Sequence, residues 1–360
     1  MSSTSIGIIG GGVIGLLTAW ELVRVGVSTV VVESTTSGTQ SSWAGGGILS
    51  PLYPWRYPEA VNELCRWSQH QYPILARELS AITAVDVEWE RSGMIVLHDD
   101  HADAVAWLRR YGERGDPIGE TELRELEPNI RASANLALWL PDIAQIRNPR
   151  LLRALRIYLE KAGVRFYDHA PVDGFVTDGC GVYGIETARG TVEVAQCVVA
   201  AGAWSNRFIE HSAVRLGHRP VKGQMLMLRT VPNTVRHIIL CGQHYLIPRR
   251  DGCVLVGSTV EDCGFDYTVT QTARAALYAF AGKIIPTLRK AEIVGHWAGL
   301  RPGSDTGVPR IGEIPYIGGL YVNTGHFRNG IVMAPGSARL LADLMLSRPP
   351  IVDPAPYALP

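Results

Sequence analysis

The feature of this sequence that most constrains its fold is a glycine cluster, Gly10-x-Gly12-x-x-Gly15. The apolar run Ile6–Ile9 leads into the cluster, and apolar residues at helical spacing follow it from Val13 to Val25. The run Thr29–Val32 is then β-branched throughout and ends at Glu33. This order of strand, glycine turn, helix and strand predicts one βαβ unit.

The residues of this unit are those that a dinucleotide site requires. Gly10 permits the tight turn, Gly12 lets the backbone approach a pyrophosphate, and Gly15 lets the helix pack closely on the strand. The phosphates then lie at the helix N-terminus, where free N–H groups favour negative charge. Glu33 is placed to accept hydrogen bonds from the adenosine ribose. The unit therefore predicts a site for the ADP half of a dinucleotide.

The glycine pattern alone is a weak signal, because the chain carries it twice. Gly179-x-Gly181-x-x-Gly184 has the same spacing, but it lies in a predicted β-hairpin with no helix after it and no acidic residue at a strand end. We therefore expect no cofactor at the second copy.

Composition limits the classes of partner. Lys plus Arg and Asp plus Glu both number 34, which gives no electrostatic case for nucleic acid or an anionic membrane. The six cysteines form no CxxC pair and no zinc-type spacing, so we expect reduced thiols, no metal site and a cytoplasmic protein. The apolar start lacks a basic flank and stops at Glu21, so we expect no export signal and no transmembrane segment.

The order of predicted elements gives a mixed α/β fold, a Rossmann-type cofactor domain with an antiparallel-sheet substrate domain inserted into it. We assign residues 1–85, 145–215 and 305–345 to the cofactor domain, and 86–144 and 216–304 to the substrate domain. Residues 346–360 are expected to form a C-terminal tail. A length of 360 residues suits two such domains.

Three further segments identify the cofactor. The loop Ser42–Ile48 follows Glu33, and the blocks His296–Gly303 (HWAGLRPG) and Gly325–Ile331 (GHFRNGI) lie near the end of the chain. Together with the glycine turn, they resemble the amine-oxidising enzymes of the D-amino acid oxidase class of FAD-dependent oxidoreductases, and among these the glycine oxidases of thiamine biosynthesis. The resemblance covers nearly the whole chain, and it implies non-covalent FAD.

The resemblance also implies which residues contact FAD: the glycine turn, the Ser42–Ile48 loop, a backbone position at adenine, a small pair under the cofactor, and the C-terminal turn over the flavin pyrimidine. These positions are Gly10, Gly12, Val13, Ile14, Gly15, Glu33, Ser42, Ala44, Gly45, Gly46, Gly47, Ile48, Val172, Ala201, Gly202, Trp204, Arg301, His326, Arg328, Asn329, Gly330 and Ile331.

On the substrate side, the resemblance assigns Arg301 to the substrate carboxylate and Tyr245 to a hydrogen bond with the same group. A guanidinium suits a carboxylate because its planar fork binds both oxygens. Arg328 is either a second substrate contact, a gate, or a surface arginine on a tight turn. We nominate no general base, because none is needed if the amine binds in its neutral form.

The activity implied is oxidative deamination of glycine and small D-amino acids. A hydride passes from Cα to flavin N5, and the products are an imino acid, ammonia and hydrogen peroxide, supplying thiamine thiazole synthesis. Because the chain has one qualified nucleotide site, the flavin is expected to be reduced directly by the amino acid. Two alternatives stay open: a D-amino acid dehydrogenase that passes electrons to a quinone, and a non-enzymatic flavin-binding assembly protein. A homo-oligomer is expected.

Four further expectations concern individual side chains. His244 is expected to be structural, and the side chain of His326 to act either in function or as a cap of its turn. The run Arg249–Gly252 is expected to be an exposed hairpin turn. Trp43 and the aromatic run Tyr53–Tyr57 are expected to shape the substrate entrance.

Overall fold

A computed structural model describes residues 5–97, 102–131, 136–178, 181–209 and 214–359. The α-helices formed by these residues are α1 Val13–Val23, α2 Ser41–Ala44, α3 Glu59–Thr83, α4 Ala102–Tyr111, α5 Glu120–Leu126, α6 Asn148–Lys161, α7 Gln271–Ile284 and α8 Gly330–Met345. The strands are β1 Ile6–Ile9, β2 Thr29–Val32, β3 Met94–Leu97, β4 Asp116–Ile118, β5 Ala137–Leu140, β6 Arg165–Tyr167, β7 Val172–Thr177, β8 Val182–Thr187, β9 Gly190–Glu193, β10 Gln196–Val199, β11 Arg219–Arg229, β12 Ile238–Cys241, β13 His244–Pro248, β14 Cys253–Gly257, β15 Glu292–Gly303, β16 Arg310–Glu313 and β17 Leu320–Thr324.

The first sheet has the strand order β16-β17-β10-β1-β2-β6 and is parallel except for the β16–β17 pair. Its central strands β1 and β2 are buried along their whole length, as their continuous apolar sequences require. Helices α1, α3, α6 and α8 share one apolar core with this sheet. The meander β7-β8-β9 packs on its other side through a second core. This is the predicted Rossmann-type arrangement.

The second sheet has the order β15-β11-β14-β13-β12-β3-β5-β4 and is antiparallel except for the β12–β3 pair. Helix α7 packs on one face of it, and the other face meets the loop after α2. The mixed α/β class with an inserted antiparallel sheet is therefore confirmed. The exact division into domains stays a prediction.

Several predicted elements are found with small shifts. The helix expected at 59–81 runs to Thr83, and the helix expected at 100–110 is described from Ala102 to Tyr111, residues 98–101 lying outside the described part. The second glycine pattern lies in a β-hairpin, as predicted: Gly181 comes just before β8, and Gly184 lies within it. Gly179 and Cys180 lie outside the described residues.

The segment predicted to be a C-terminal tail is anchored to the core. Tyr357 is fully buried, and its hydroxyl donates to the backbone oxygen of Ala60 on α3 at 2.7 Å. Within the described ranges, no helix is long and apolar enough to cross a membrane.

Candidate active site

The glycine turn between β1 and α1 allows two close backbone approaches and leaves a third glycine open. Gly10 has φ +111°, a conformation that favours glycine, and a Cβ there would lie 2.4 Å from the Ala200 oxygen. A Cβ on Gly15 would lie 1.9 Å from the Gly10 oxygen, so α1 can pack on β1 only without a side chain at that position. At Gly12 the nearest atom to such a Cβ is the Ser42 hydroxyl at 3.2 Å, which leaves its outer side open.

Glu33 links the end of β2 to this turn. One carboxylate oxygen accepts from the backbone N–H of Gly11 at 2.8 Å, and the other accepts from the N–H of Thr35 at 3.0 Å and from the Ser34 hydroxyl at 3.0 Å. The Thr35 hydroxyl also donates to this second oxygen, at 3.1 Å. The oxygen that faces Gly11 holds only that one donor, so it keeps a lone pair that can accept from a ribose hydroxyl.

We expect Glu33→Ala to raise the dissociation constant of FAD by roughly tenfold to a hundredfold, because hydrogen bonds to a charged group contribute about 1.5–3 kcal/mol. The measurement is FAD titration of the apoprotein, with circular dichroism and thermal melting to show that the fold is kept. Glu33→Gln keeps the shape of the side chain but loses the charge, and it is the matched control. Its dissociation constant for FAD should lie between those of the wild type and Glu33→Ala. An unchanged FAD affinity in Glu33→Ala would show that this side chain does not contact the ribose.

An elongated cavity of about 430 Å³ runs from this turn to the C-terminal block. Helices α1 and α8 both begin at its wall, so Gly12, Val13 and Ile14 line one end, and Gly330 and Ile331 line the other. Helix N-termini favour negative charge. Glu33 and the apolar Val172 lie beyond the α1 end. The cavity thus offers N–H donors for a diphosphate at the start of α1, a hydrogen-bond partner for ribose at Glu33, and further N–H donors at the start of α8. This arrangement fits FAD.

A smaller chamber of about 80 Å³ adjoins this cavity. The two share Ser41, Gly45, Arg301, Arg328 and Ile331 as wall residues. The chamber otherwise lies between the loop after α2 and the open face of the second sheet. A ligand in the chamber therefore sits against whatever occupies the adjoining end of the large cavity.

Arg301 projects from β15 across the sheet. Its guanidinium donates to the Ser258 hydroxyl at 2.8 Å and to the Thr259 oxygen at 3.2 Å. Burial lowers the pKa of Arg301 to about 10, and the neighbouring Tyr245 hydroxyl opposes this shift. The guanidinium thus stays cationic at neutral pH, and no carboxylate hydrogen-bonds to it in the described residues.

Three glycines on adjacent strands, called here the floor, lie under the chamber; Gly223 and Gly299 line it directly, whereas Gly257 lies beneath the Tyr245 ring. Gly223 of β11 pairs with Gly299 of β15, and Gly257 of β14 pairs with both Met225 and Tyr245. A Cβ on Gly223 would lie 2.1 Å from the Arg301 guanidinium. A Cβ on Gly257 would lie 2.5 Å from the Tyr245 ring. Both polar side chains therefore lie flat over positions that carry no side chain.

Tyr245 is buried, and its hydroxyl contacts the sulfur of Met225 at 3.4 Å. Neither the sulfur nor the neighbouring glycines can satisfy a phenol strongly. The hydroxyl lies beside Arg301 and can therefore turn toward a ligand that also contacts the arginine.

One further arginine and two histidines lie at or near the site. Arg328 is partly exposed, borders both cavities and donates to the Gln243 oxygen at 3.3 Å. His326 bonds the Ser337 hydroxyl at 2.9 Å, and burial, aided by His218, lowers its pKa to about 3. The pKa of His244 is also lowered, by burial first and then by Arg328.

We expect the affinity for acetate, a carboxylate without an amine, to be constant between about pH 6 and pH 9. His326 has a pKa of about 3, and burial lowers the pKa of His218 to about 4, so both stay neutral throughout this range. Arg301 stays charged. The measurement is the change in the flavin absorbance spectrum on acetate titration at each pH. A transition near pH 6–7 would show that a histidine titrates next to the bound carboxylate.

Of the residues predicted to contact FAD or substrate, all but two line one of these cavities. The larger cavity is lined by Gly10, Gly12, Val13, Ile14, Glu33, Ser42, Gly45, Val172, Ala201, Gly202, Trp204, Arg301, His326, Arg328, Gly330 and Ile331. The chamber adds Ala44, Gly46, Gly47, Ile48 and Tyr245. Gly15 lies under the turn, and Asn329 is buried behind the wall.

The expectation that Arg249 belongs to an exposed turn is wrong. Its neighbour Arg250 is exposed and pairs with Asp86 and Glu90, but Arg249 is only 8% exposed. Arg249 points back into the protein and bonds the Gly46 oxygen of the loop after α2 at 2.7 Å. The local turn sequence contains no signal for this, since the acceptor lies about two hundred residues away.

The aromatic residues expected at the entrance lie one layer outside the chamber. Trp43 packs edge-on against Trp297, with ring centroids 5.5 Å apart. Tyr53 is buried, and its hydroxyl donates to the Gly242 oxygen at 2.7 Å. Neither Trp43 nor Tyr53 borders either cavity, whereas Leu52 lines the chamber directly. The floor positions Gly223, Gly257 and Gly299 were not among the predicted site residues, because nothing in their local sequence marks them.

Comparison with known proteins places this site in a family. The model of the DAO family, described as FAD dependent oxidoreductase, matches residues 5–344. The chain therefore belongs to the family of FAD-dependent oxidoreductases, and FAD is its cofactor. The predicted class, an FAD-dependent enzyme of the amino acid oxidase type, is confirmed.

Within the family, the relatives bear a more specific name. A glycine oxidase of Pseudomonas aeruginosa is 44% identical and covers 99% of this chain and 98% of its own length. A glycine oxidase of Pseudomonas putida is 42% identical over the same share of each chain. The crystal structure of glycine oxidase from Geobacillus kaustophilus superposes with a TM-score of 0.95 at 29% identity, covering 100% of this chain and 99% of that one. The predicted resemblance to the glycine oxidases is confirmed.

One further relative joins two activities in its name. The bifunctional protein ThiO/ThiG of Trichormus variabilis is 31% identical over 95% of this chain, which corresponds to 52% of that protein.

Proposed function

We propose that this protein is a glycine oxidase that deaminates glycine and small D-amino acids with oxygen as the electron acceptor. The observation that carries the proposal is the chamber of about 80 Å³ in which Arg301 and Tyr245 lie over a glycine floor. A cation with free donor capacity and a phenol beside it form a site for one carboxylate, and the small volume selects a compact substrate.

The chain's residues bind and orient the substrate. Arg301 holds the carboxylate through its planar fork, and Tyr245 donates a further hydrogen bond to the same group. The apolar side chains of Ile48, Leu52 and Met225 border the chamber and limit the volume left for a side chain on Cα. Because the carboxylate is held on one side and the substrate side chain is confined on the other, Cα is oriented toward the large cavity.

The amine is expected to bind in its neutral form. Among the described residues that line the chamber there is no carboxylate and no histidine, so none is placed there to remove a proton from an ammonium group. Two arginines beside the chamber also disfavour a bound cation. When bound, FAD supplies the acceptor for the hydride that leaves Cα.

The test is oxygen consumption and peroxide formation by the purified holoenzyme with glycine, sarcosine, D-alanine, D-proline and bulky D-amino acids. We expect turnover of the small substrates, with one peroxide formed per oxygen consumed. Reduction of an artificial dye or quinone without oxygen uptake would make the protein a dehydrogenase instead. A flavin that no amino acid bleaches under anaerobic conditions would remove enzymatic function altogether.

We further propose that the FAD is not covalently attached, as the resemblance to the glycine oxidases implies. The purified protein should be yellow, and acid or heat denaturation should release all of the FAD into the supernatant. Absorbance of the supernatant and of the washed pellet measures the two fractions. Yellow colour that remains with the denatured polypeptide would contradict this expectation.

The place of the reaction in thiamine biosynthesis is part of the proposal. It is supported by the likeness to the bifunctional ThiO/ThiG protein. This chain matches about half of that protein, whose name joins ThiO and ThiG. The imino acid product would feed thiazole synthesis. The homo-oligomeric state and the cytoplasmic location stay predictions.

A further inference from the structure

The loop Gly45–Ile48, called here the flavin-side loop, has its backbone carbonyls held from outside the chamber. Three consecutive carbonyl oxygens each accept a hydrogen bond, two from the segment 146–148 and one from the turn after β13. Asn148 Nδ2 donates to the Gly45 oxygen at 3.0 Å, Arg249 Nη2 to the Gly46 oxygen at 2.7 Å, and the Ile146 N–H to the Gly47 oxygen at 2.9 Å. Three independent donors thus fix the direction of three consecutive peptide groups.

The direction of the carbonyls determines the direction of the amides. In a planar trans peptide the C=O and the following N–H point to opposite sides. The N–H groups of Gly46, Gly47 and Ile48 therefore point away from these donors, toward the chamber that the same residues line. Across the described part of the chain, none of these three N–H groups has a protein acceptor. The loop presents a row of free donors to the site.

The middle carbonyl is held in an unusual way. Asn148 and the Ile146 amide are neutral donors, but Gly46 is bound by the guanidinium of a buried arginine. The other acceptors of Arg249 are the Gln145 side-chain oxygen at 2.7 Å and the Ile146 oxygen at 3.1 Å, so all three acceptors are uncharged. Burying a cation among neutral acceptors costs free energy that a neutral donor would not cost.

Glycine content explains why the loop needs such a contact. Gly45, Gly46 and Gly47 have no side chains that could anchor them, and Gly47 has φ +77°. A Cβ on Gly46 would lie 2.7 Å from Ile247 and 3.2 Å from Tyr245, so the backbone itself packs against β13. The peptide between Gly46 and Gly47 is free to flip unless its oxygen is held.

We propose that Arg249 is a positioning residue for the flavin site. By binding the Gly46 oxygen, it fixes the Gly46–Gly47 peptide with its N–H toward the chamber, and its buried positive charge polarises that peptide. Polarised, pre-oriented N–H groups stabilise negative charge that develops next to them. The chamber adjoins the large cavity, and Gly45 at the start of this loop lines both, so the polarised loop lies at the end of the FAD cavity. Arg249 therefore favours the reduced, more negatively charged state of the cofactor without touching it. The proposal rests on FAD binding, which family membership shows, and not on which amino acid is oxidised.

The experiment compares three holoenzymes with the wild type. Arg249→Gln removes the charge and shortens the donor, and Arg249→Lys keeps the charge but loses the fork. Arg250→Gln is the matched control, because it changes the adjacent arginine of the same turn, whose partners are exposed carboxylates. The measurements are the two-electron midpoint potential of the bound flavin, the dissociation constant of FAD, and thermal melting of the apo and holo forms, all without any amino acid.

In Arg249→Gln we expect the equilibrium constant for reduction of the bound flavin to fall by about tenfold. For a two-electron couple this is a midpoint potential about 30 mV more negative. Arg249→Lys should recover more than half of this shift, and Arg250→Gln should match the wild type. FAD affinity should fall in both Arg249 variants. A wild-type midpoint in Arg249→Gln would overturn the proposal, as would an equal shift in Arg250→Gln.

If Arg249→Gln does not fold, Arg249→Lys decides the question. The single nitrogen of a lysine cannot occupy the positions of both Nη1, which binds Gln145 and Ile146, and Nη2, which binds Gly46. We therefore expect the holo form to lose more thermal stability than the apo form, with at least threefold weaker FAD binding. Equal destabilisation of both forms with unchanged FAD affinity would show that Arg249 only supports the fold. Because no amino acid is present, absence of glycine turnover would count against the proposed function and leave this result intact.

Discussion

Arg301→Ala is expected to lower kcat/KM for the best amino acid by about thirtyfold to several thousandfold while leaving the flavin content normal. Removing one partner of a buried, hydrogen-bonded charge pair costs about 2–5 kcal/mol, and each 1.4 kcal/mol corresponds to roughly a factor of ten. Arg301 meets the conditions for this cost. Its guanidinium lines the chamber, and its partners among the described residues, the Ser258 hydroxyl, the Thr259 oxygen and the Tyr245 hydroxyl, are all uncharged.

Two further variants separate charge from geometry at this position. Arg301→Lys should recover part of the loss, because an ammonium keeps the charge but cannot bind both carboxylate oxygens in one plane. Tyr245→Phe should cost less than either, since a neutral hydrogen bond contributes about 0.5–1.5 kcal/mol. Steady-state kcat/KM and flavin occupancy are measured for each variant. Near-native efficiency in Arg301→Ala with full flavin would move the carboxylate site elsewhere, with Arg328 as the first candidate.

The features that could be predicted from the sequence are those whose residues lie close together in the chain. The βαβ unit was predictable because a strand, a glycine turn, a helix and an acidic strand end follow one another within thirty-odd residues. The site residues Arg301 and Arg328 were predictable because each lies in a contiguous block, HWAGLRPG or GHFRNGI. In both cases the chemistry and its structural context were adjacent in the sequence.

What could not be predicted depends on contacts between distant segments. Arg249 was interpreted as part of an exposed turn because RRDG is typical turn chemistry, and this holds for Arg250 and for Gly252, which has φ +83°. The direction of Arg249 is set by the Gly46 and Ile146 oxygens, which only the packed structure brings to it. A turn motif therefore predicts the backbone but not which of its side chains is buried.

The glycines of the chamber floor show the same limit. Gly223, Gly257 and Gly299 lie on three strands, and each alone is typical of a weakened or irregular strand. Their shared role becomes visible only through the register, which pairs Gly223 with Gly299. The space above Gly223 is then filled by Arg301, that above Gly257 by Tyr245, and that above Gly299 by Ala44 of α2.

Gly223→Ala is therefore expected to impair substrate binding by displacing Arg301. The added Cβ would lie 2.1 Å from one terminal nitrogen of Arg301 and 2.2 Å from the other, far inside van der Waals contact. The arginine side chain has to move, and a displacement of about 1 Å at a positioning group can cost about a hundredfold. Because Gly223 lies in the regular ladder of β11, alanine should be tolerated by the backbone.

The expected result is a ten- to hundredfold fall in kcat/KM, mainly through KM. FAD content and thermal stability should stay near those of the wild type. Gly295→Ala is the matched control on the same ladder, since the atoms nearest to its Cβ would be the edge of the Trp297 ring at 3.0 Å and Met227 at 3.5 Å, not Arg301. The double variant Gly223→Ala with Arg301→Lys decides the cause. If alanine acts by displacing the guanidinium, it should add little to the loss in Arg301→Lys, because residues in contact are not additive. Fully additive losses would mean that Gly223 acts on the chamber by another route.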